Sequence, residues 1–264
     1  MHIPSQHFYN WNPEFKSHMT CPDRLYKYQS LSAYSLAALV MRTIWLAKPS
    51  TFNDPFDCGI TLDRRKYKDS VLHAISAAIE GADSKGADHE KLGALWPGDK
   101  EAFELLRKNV LELVQNMGVC SFSAVGDHML MWSHYAQHHR GFCVEYDSRE
   151  GTTLRNLAHE VRYQDEAPSL GAADFAAEKR VEAFDNMWLT KATCWSYEQE
   201  WRVLMKEGNR SYAVPSDVLS IIFGARMPQS EREMVRNSLQ SQPSIAFKEA
   251  RLVEGQFRLQ IVDV

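Results

Sequence analysis

Short strand-forming segments recur along this chain at irregular spacing. They are rich in β-branched and aromatic residues, and they lie at residues 24–28, 43–47, 119–123, 142–146, 161–163, 201–205, 219–223, 245–247 and 257–262. Helical patterns separate only some of them, at residues 32–41, 127–139, 172–188 and 229–239. Because a doubly wound fold needs regular crossover helices between its strands, this order predicts an α+β fold.

A pair of amphipathic helices interrupts this order. Apolar residues recur at helical spacing at residues 71–79 and again at 103–114, with a glycine-rich loop between them. We therefore expect a single α+β domain over residues 1–264, with a helical insert at about 64–116.

The composition narrows the class of protein. A hydrophobic content of 44% with 24% charged residues is ordinary for a globular domain, and a net charge of −4 argues against binding nucleic acid through overall charge. Five scattered cysteines without a Cys-x-x-Cys motif are typical of a reducing compartment. No secretory signal and no membrane-length apolar stretch is visible. We expect a soluble, cytoplasmic protein without a membrane partner.

The most specific motif is the segment CWSYEQEWR at residues 194–202. If it is extended, Glu198, Glu200 and Arg202 share one face. Two carboxylates this close repel each other, and a fold tolerates that cost when it gains a charge directed at a substrate. The structural alternative is an exposed edge strand in which Arg202 neutralises Glu200.

A second motif is the serine-containing strand with the helix that follows it. Ser121 and Ser123 would point to the same side of a strand, opposite Phe122. Trp132 and Tyr135 have the i, i+3 spacing of neighbours on a helix. They are either core aromatics or rings that stack on a ligand.

Two further polar motifs admit both structural and ligand-binding interpretations. His134 and His138 have the spacing of paired zinc ligands on a helix, but no third ligand follows at a recognisable spacing, so we expect no metal there. Asn53 and Asp54 precede a proline in a turn. Asp57 can bind a substrate or metal, or accept hydrogen bonds from the local backbone.

Four motifs together resemble a bacterial family of domains of unknown function, number 2971. They are the segments LYKY at 25–28, FNDPFD at 52–57, MWSHYA at 131–136 and WSYEQEWR at 195–202. The resemblance is ordered and spans most of the chain, but it implies no activity.

A more distant resemblance is to ADP-ribosyltransferases of the Arg/Ser-Thr-Ser/Glu-x-Glu type. That family has a basic residue on an early strand, then a serine strand, then a late Glu-x-Glu. Residues 121–123 match the second motif and residues 198–200 the third. Arg24 or Lys27 would serve as the first, and Phe122 replaces the central threonine. The resemblance implies ADP-ribosyltransferase-like mixed sheets with NAD as substrate and no metal.

The same resemblance implies roles for individual residues. Glu200 would stabilise the oxocarbenium-like charge that develops as the nicotinamide–ribose bond breaks. Glu198 would orient or deprotonate the acceptor, and Ser121 would hydrogen-bond Glu200. The residues expected at the NAD site are Tyr26, Lys27, Tyr28, Ser121, Ser123, Trp132 and Tyr135. Those expected in substrate-binding or structural roles are Asn53, Asp54, Asp57 and Arg202.

The favoured function is therefore transfer of ADP-ribose from NAD to a macromolecular acceptor, either protein or nucleic acid. By analogy, the chain would be a bacterial toxin or anti-phage effector with an antitoxin or defence-system partner. Two alternatives stay open. One is a metal-dependent nuclease that uses Asp54, Asp57, Glu198 and Glu200 as oxygen ligands. The other is a non-catalytic ligand-binding module of a defence system.

Overall fold

The computed structural model describes residues 20–64, 99–170 and 185–264. The chain divides into two compact units, the first formed by residues 1–51, 117–161 and 193–264 and the second by residues 52–116 and 162–192. The expected insert at 64–116 falls within the second unit. The helices predicted at 71–79 and over most of 172–188 lie outside the described residues.

The described chain contains short strands and several helices. The strands are β1 (Arg24–Gln29), β2 (Thr43–Leu46), β3 (Thr61–Leu62), β4 (Gly118–Ser123), β5 (Phe142–Asp147), β6 (Ala158–Glu160), β7 (Arg162–Gln164), β8 (Ser169–Leu170), β9 (Thr190–Ala192), β10 (Glu200–Met205), β11 (Arg210–Ala213), β12 (Val218–Phe223), β13 (Ala246–Leu252) and β14 (Leu259–Asp263). The α-helices are α1 (Ala33–Val40), α2 (Asp99–Asn116), α3 (Met129–Tyr135), α4 (Thr153–Leu157) and α5 (Gln229–Ser238).

One large mixed sheet organises the first unit. Its eight strands follow the order β14–β13–β12–β5–β1–β4–β10–β6, and every neighbouring pair is antiparallel except β12 with β13. A separate antiparallel pair joins β2 to β11. The predicted combination of helices with a mixed sheet is confirmed. The ADP-ribosyltransferase-like arrangement of the strands stays a prediction.

Helices cover both faces of this sheet. On one face Leu25, Val144 and Val203 pack in a cluster with Leu39 of α1 and Val235 of α5. On the other face a second cluster joins sheet residues to α3, and its buried members include Tyr28, Cys143, Ile222, Met131 and Trp132. All six residues of β5 are buried, as expected for a central strand covered on both sides.

Strand β4 has three different partners along its edge towards β1. Ser123 pairs with Tyr26 of β1, the one register position at which these two strands meet. At the other end of β4, Val119 exchanges two backbone hydrogen bonds of 2.9 Å with Ala47, just after β2. Between them, Lys27 donates from Nζ to the carbonyl oxygen of Ser121 at 3.1 Å. The Lys27 side chain thus takes the place of a ladder hydrogen bond where β1 and β4 separate.

Helix α3 is shorter than the prediction of residues 127–139. It begins after His128, which makes no side-chain cap. It ends at Tyr135 because residues 137–139 have φ values of 49°, 56° and 65°, in the left-handed region. This turn carries the chain to Gly141, where an added Cβ would lie 2.1 Å from a backbone oxygen of β1.

The second unit contains α2 and two parallel strand pairs, β3 with β8 and β7 with β9. The predicted helix at 103–114 is confirmed within α2, and Phe103, Val110 and Val114 are buried. Leu113 is 38% exposed, so the apolar face is narrower than the sequence pattern indicated. In the described parts of the chain, no helix is long and apolar enough to cross a membrane.

Candidate functional site

A row of polar residues crosses the large sheet on the face that also carries Tyr28. In order from β12 to β10, its members are Ser220, Glu145, Tyr26, Ser123 and Glu200, each in register with the next. Directly paired residues of antiparallel strands point to the same face. Apart from half-buried Tyr26, all of them are at most 3% exposed. The strands that carry the predicted first-strand, serine and Glu-x-Glu motifs are therefore neighbours in the sheet.

Glu200 lies at the β10 end of this row and is bound by Arg202. Arg202 donates from Nε to Oε1 at 2.7 Å and from Nη2 to Oε2 at 3.1 Å. The two side chains are 3% and 0% exposed, and β10 lies between β4 and β6. The exposed edge-strand interpretation is therefore wrong, although its pairing of Arg202 with Glu200 is correct. A buried, bidentate ion pair holds both groups in one orientation.

The two serines of β4 occupy different positions relative to this ion pair. Ser123 lies opposite Glu200, whereas Ser121 lies opposite Arg202. The position that we predicted for Ser121, beside Glu200, therefore belongs to Ser123. On the other side of β10, Arg202 faces His159, and burial lowers the pKa of that imidazole.

Glu198 does not share a strand face with Glu200, and that prediction is wrong. It ends a 3₁₀-helix over Thr193–Glu198, and the next residue, Gln199, has a φ of 43°. The end of β4 fixes this turn, because Ser123 donates from its hydroxyl to the Glu198 carbonyl at 2.6 Å and Ala124 donates its N–H to the Gln199 carbonyl at 2.9 Å. The two carboxylates therefore stand on different segments.

The Glu198 side chain is 3% exposed and is held from α3. Tyr135 donates its hydroxyl to Oε1 of Glu198 at 2.6 Å. The predicted site residues Tyr135 and Glu198 are thus in direct contact. A short hydrogen bond to a carboxylate orients it strongly.

The two tyrosines of β1 differ in access. Tyr28 is buried, donates its hydroxyl to the Val125 carbonyl at 2.8 Å, and packs edge-on against Trp132 at 5.2 Å between ring centroids. Trp132 itself is 0% exposed. Tyr26 is half-buried beside Gly126, where an added Cβ would come within 2.7 Å of its ring. Tyr26 is therefore the β1 ring that a ligand can reach.

Burial also favours the neutral form of Tyr26. It raises the pKa of the phenol to about 12, and the negative charge of Glu145 acts in the same direction. Tyr26 thus stays neutral at physiological pH and can donate a hydrogen bond.

A cluster of rings stands on the 3₁₀-helix that leads to Glu198. Tyr197 stacks on His128 at 5.3 Å between centroids, and its hydroxyl lies 3.0 Å from Nδ1 of His134. Trp195 lies 6.0 Å from Tyr197, centroid to centroid. Tyr197 was not among the predicted site residues. His138 lies past the end of α3, so it does not have the helical relation to His134 that a zinc pair would use.

Glu145 belongs to the same polar row but was not among the residues predicted from the sequence. Its Oε1 lies 2.6 Å from Nη1 of Arg24, and its Oε2 lies 2.7 Å from Nζ of Lys248 and accepts a hydrogen bond from Ser220. Burial raises the pKa of Glu145, but the hydrogen bonds and charges of these partners outweigh burial and hold that pKa below its ordinary value. The available signal was a carboxylate inside the otherwise apolar segment FCVEY.

The remaining predicted residues, Asn53, Asp54 and Asp57, belong to the second unit. Asp54 accepts the backbone N–H of Phe56 at 2.9 Å, as a turn-stabilising aspartate does. Asp57 lies 3.5 Å from Nζ of Lys191, and both side chains are buried. Across the residues that the structure describes, no three His, Cys, Asp or Glu side chains form a group that can hold a metal ion.

Comparison with known proteins places part of this chain in context. No curated protein and no solved structure matches it. Residues 131–203 match the model of a family described as protein of unknown function (DUF2971). This range includes Tyr135, Glu145, Glu198, Glu200 and Arg202, whereas the resembling segments at 25–28 and 52–57 lie outside it. Over the range that carries these acidic site residues, the chain is thus similar to the DUF2971 family.

Proposed function

We propose that the first unit transfers ADP-ribose from NAD to a macromolecular acceptor, with Glu200 as the central catalytic residue. The observation that carries this proposal is the register of Tyr26, Ser123 and Glu200 on three adjacent strands. It brings together the early strand, the serine strand and the acid strand that the reaction needs at one place.

Glu200 suits the chemistry of the nicotinamide–ribose bond. When that bond breaks, its electron pair leaves with nicotinamide and positive charge develops on the ribose ring. A carboxylate fixed before the reaction stabilises this charge without reorganising. Arg202 fixes Glu200 through two hydrogen bonds, and both side chains are buried. Arg202 is therefore a positioning residue.

Glu198 suits a separate role towards the acceptor. It is held by Tyr135 on a turn that precedes the strand, so it does not compete with Glu200 for one position. A carboxylate here can orient or deprotonate the incoming nucleophile. Tyr26 supplies the accessible ring for stacking on nicotinamide.

The test is nicotinamide release from NAD, measured beside labelling of the acceptor. Glu200→Gln keeps the shape of the side chain but removes its charge, and we expect it to lower the turnover number by about 100-fold or more. Glu198→Gln should preserve slow hydrolysis of NAD by water and lose transfer. The control is Glu207→Gln, since Glu207 forms an exposed ion pair with Arg210. Release of nicotinamide at the wild-type rate by Glu200→Gln, in protein that still unfolds cooperatively, would reject this assignment.

Two further arms separate the proposal from its alternatives. We expect full activity in excess chelator, since the steps above use fixed side chains only; loss of activity there and recovery with Mg²⁺ or Mn²⁺ would favour the nuclease. Labelled NAD incubated with cell lysate, followed by protease or nuclease digestion, identifies the acceptor. NAD binding without any turnover would favour the ligand-binding module.

A further inference from the structure

Two cations meet on the buried carboxylate of Glu145. Arg24 of β1 binds Oε1 at 2.6 Å, and Lys248 of β13 binds Oε2 at 2.7 Å. The carboxylate is 1% exposed, so it lies beneath both cations. Because each cation binds a different oxygen of one carboxylate, the two cations are held near each other.

Both cations keep access to solvent. The side chain of Arg24 is 56% exposed and that of Lys248 is 20% exposed. A guanidinium has five N–H donors and an ammonium has three, and within the described residues Glu145 is the carboxylate that each of them binds. Further donors of both groups can therefore face a ligand.

The charge balance at this point favours an anion. Two positive charges share one buried negative charge, which leaves one positive charge in excess. Asp147 does not offset it, because Arg149 binds both of its oxygens at 2.9 and 2.6 Å. Asp263 on β14 is in register with Lys248 but is exposed, so water weakens its effect on the excess charge without removing it, and the effect is largest at low salt.

An ordinary surface ion pair elsewhere in the chain shows the contrast. Arg42 binds Asp217 at 2.8 Å, and the two side chains are 55% and 80% exposed. Arg24 is exposed to almost the same degree as Arg42, but its carboxylate is buried and is shared with a second cation. The Arg24 guanidinium is thus held in one place, whereas a fully exposed pair gains little from its geometry.

We propose that Arg24 and Lys248, seated on Glu145, form a binding site for a phosphate group. A phosphate offers several acceptor oxygens and a charge of up to −2, which matches two cations held side by side. Glu145 lies on the same row as Glu200, three strands away, or roughly 14 Å at about 4.8 Å per strand. A dinucleotide whose ribose lies at Glu200 would bring its diphosphate towards this pair, and this identification of the ligand rests on the proposed function.

Binding of ADP, inorganic phosphate and adenosine to the full-length protein, measured by calorimetry in phosphate-free buffer at low salt, tests this proposal. ADP should bind, phosphate should compete with it, and adenosine should not. Arg24→Gln and Lys248→Met should each weaken ADP binding by about tenfold, whereas the matched control Arg42→Gln should leave it unchanged. Asp263→Asn removes a nearby negative charge from the surface and should tighten ADP binding.

The outcomes separate this proposal from the proposed reaction. The phosphate site is overturned if the wild-type protein binds neither ADP nor phosphate. It is equally overturned if folded Arg24→Gln and Lys248→Met variants bind ADP with wild-type affinity. If the other two variants fold poorly, the Asp263→Asn variant still tests the proposal. Unchanged ADP affinity in the Asp263→Asn variant counts against the phosphate site. If ADP binds as predicted but no nicotinamide is released from NAD, the phosphate site stands and the transferase proposal fails.

Discussion

Replacing Arg202 with methionine should destabilise the first unit strongly. Arg202 is 0% exposed and donates two hydrogen bonds to Glu200, which is 3% exposed. Hydrogen bonds to charged groups contribute about 1.5–3 kcal/mol each, and removal of one partner from a buried ion pair typically costs about 3–5 kcal/mol. We therefore expect Arg202→Met to lower the free energy of unfolding by about 3–5 kcal/mol.

The matched control is Arg42→Met, since Arg42 forms an ion pair whose side chains are 55% and 80% exposed. Such a pair contributes about 0–1 kcal/mol. The double variant Glu200→Met/Arg202→Met removes both charges, so it should lose less stability than Arg202→Met alone. Urea unfolding followed by circular dichroism and tryptophan fluorescence measures all three, because Trp201, which lies between these two residues on β10, is buried and reports on unfolding of the strand. This prediction fails if Arg202→Met behaves like Arg42→Met, or if the double variant loses as much stability as Arg202→Met alone or more.

Three further changes test other parts of the structure. Tyr135→Phe removes the hydroxyl that binds Glu198 at 2.6 Å and should cost about 1.5–3 kcal/mol of unfolding free energy, whereas an unchanged urea midpoint would count against that contact. Gly141→Ala places a Cβ 2.1 Å from a backbone oxygen and should cost about 3 kcal/mol, so a stable variant would contradict this close approach. The pKa of Glu145 is held below its usual 4.5, so its carboxylate stabilises the fold above that pH and loses this effect as the pH falls through the folded-state pKa. Lys248→Met should accordingly be most destabilising near neutral pH and progressively less so in acid, and a constant difference in unfolding free energy from pH 7 to 3 would be inconsistent with it.

Most strands of the large sheet could be predicted because each is a short run of strand-forming residues with a clear end. The residues at 24–28, 119–123, 142–146 and 201–205 all form strands close to their predicted limits. Their order across the sheet could not be predicted, since it depends on pairings between residues about a hundred positions apart. Tyr26 with Ser123 is one such pairing.

The wrong predictions at the site, for Glu198 and for the end of α3, fall where residues other than glycine adopt a left-handed backbone conformation. Gln199 separates Glu198 from the strand through a φ of 43°, and residues 137–139 end α3 in the same way. Neither position has a glycine that would have marked the turn. Tertiary contacts stabilise these unfavourable backbone conformations. One of them is the hydrogen bond from the Ser123 hydroxyl to the Glu198 carbonyl. A reading of local sequence has no access to such contacts.

Glu145 was missed for a different reason. Its segment has the apolar character of a buried strand, and single acidic residues in such segments are easily assigned to an exposed face. Its partners Arg24 and Lys248 come from distant parts of the chain. Only the folded sheet shows that they compensate the charge.

The single register pair between β1 and β4 divides the large sheet mechanically. Five strands, from β14 to β1, lie on one side of the junction, and β4, β10 and β6 lie on the other. The Lys27 ammonium that bridges the junction is attached through a flexible side chain, so it resists relative twisting of the two parts less than a continuous ladder would. Glu145 belongs to one part and Glu200 to the other. A ligand that contacts both would act as a clamp across the junction, and amide hydrogen exchange on β1 and β4 should slow together when it binds.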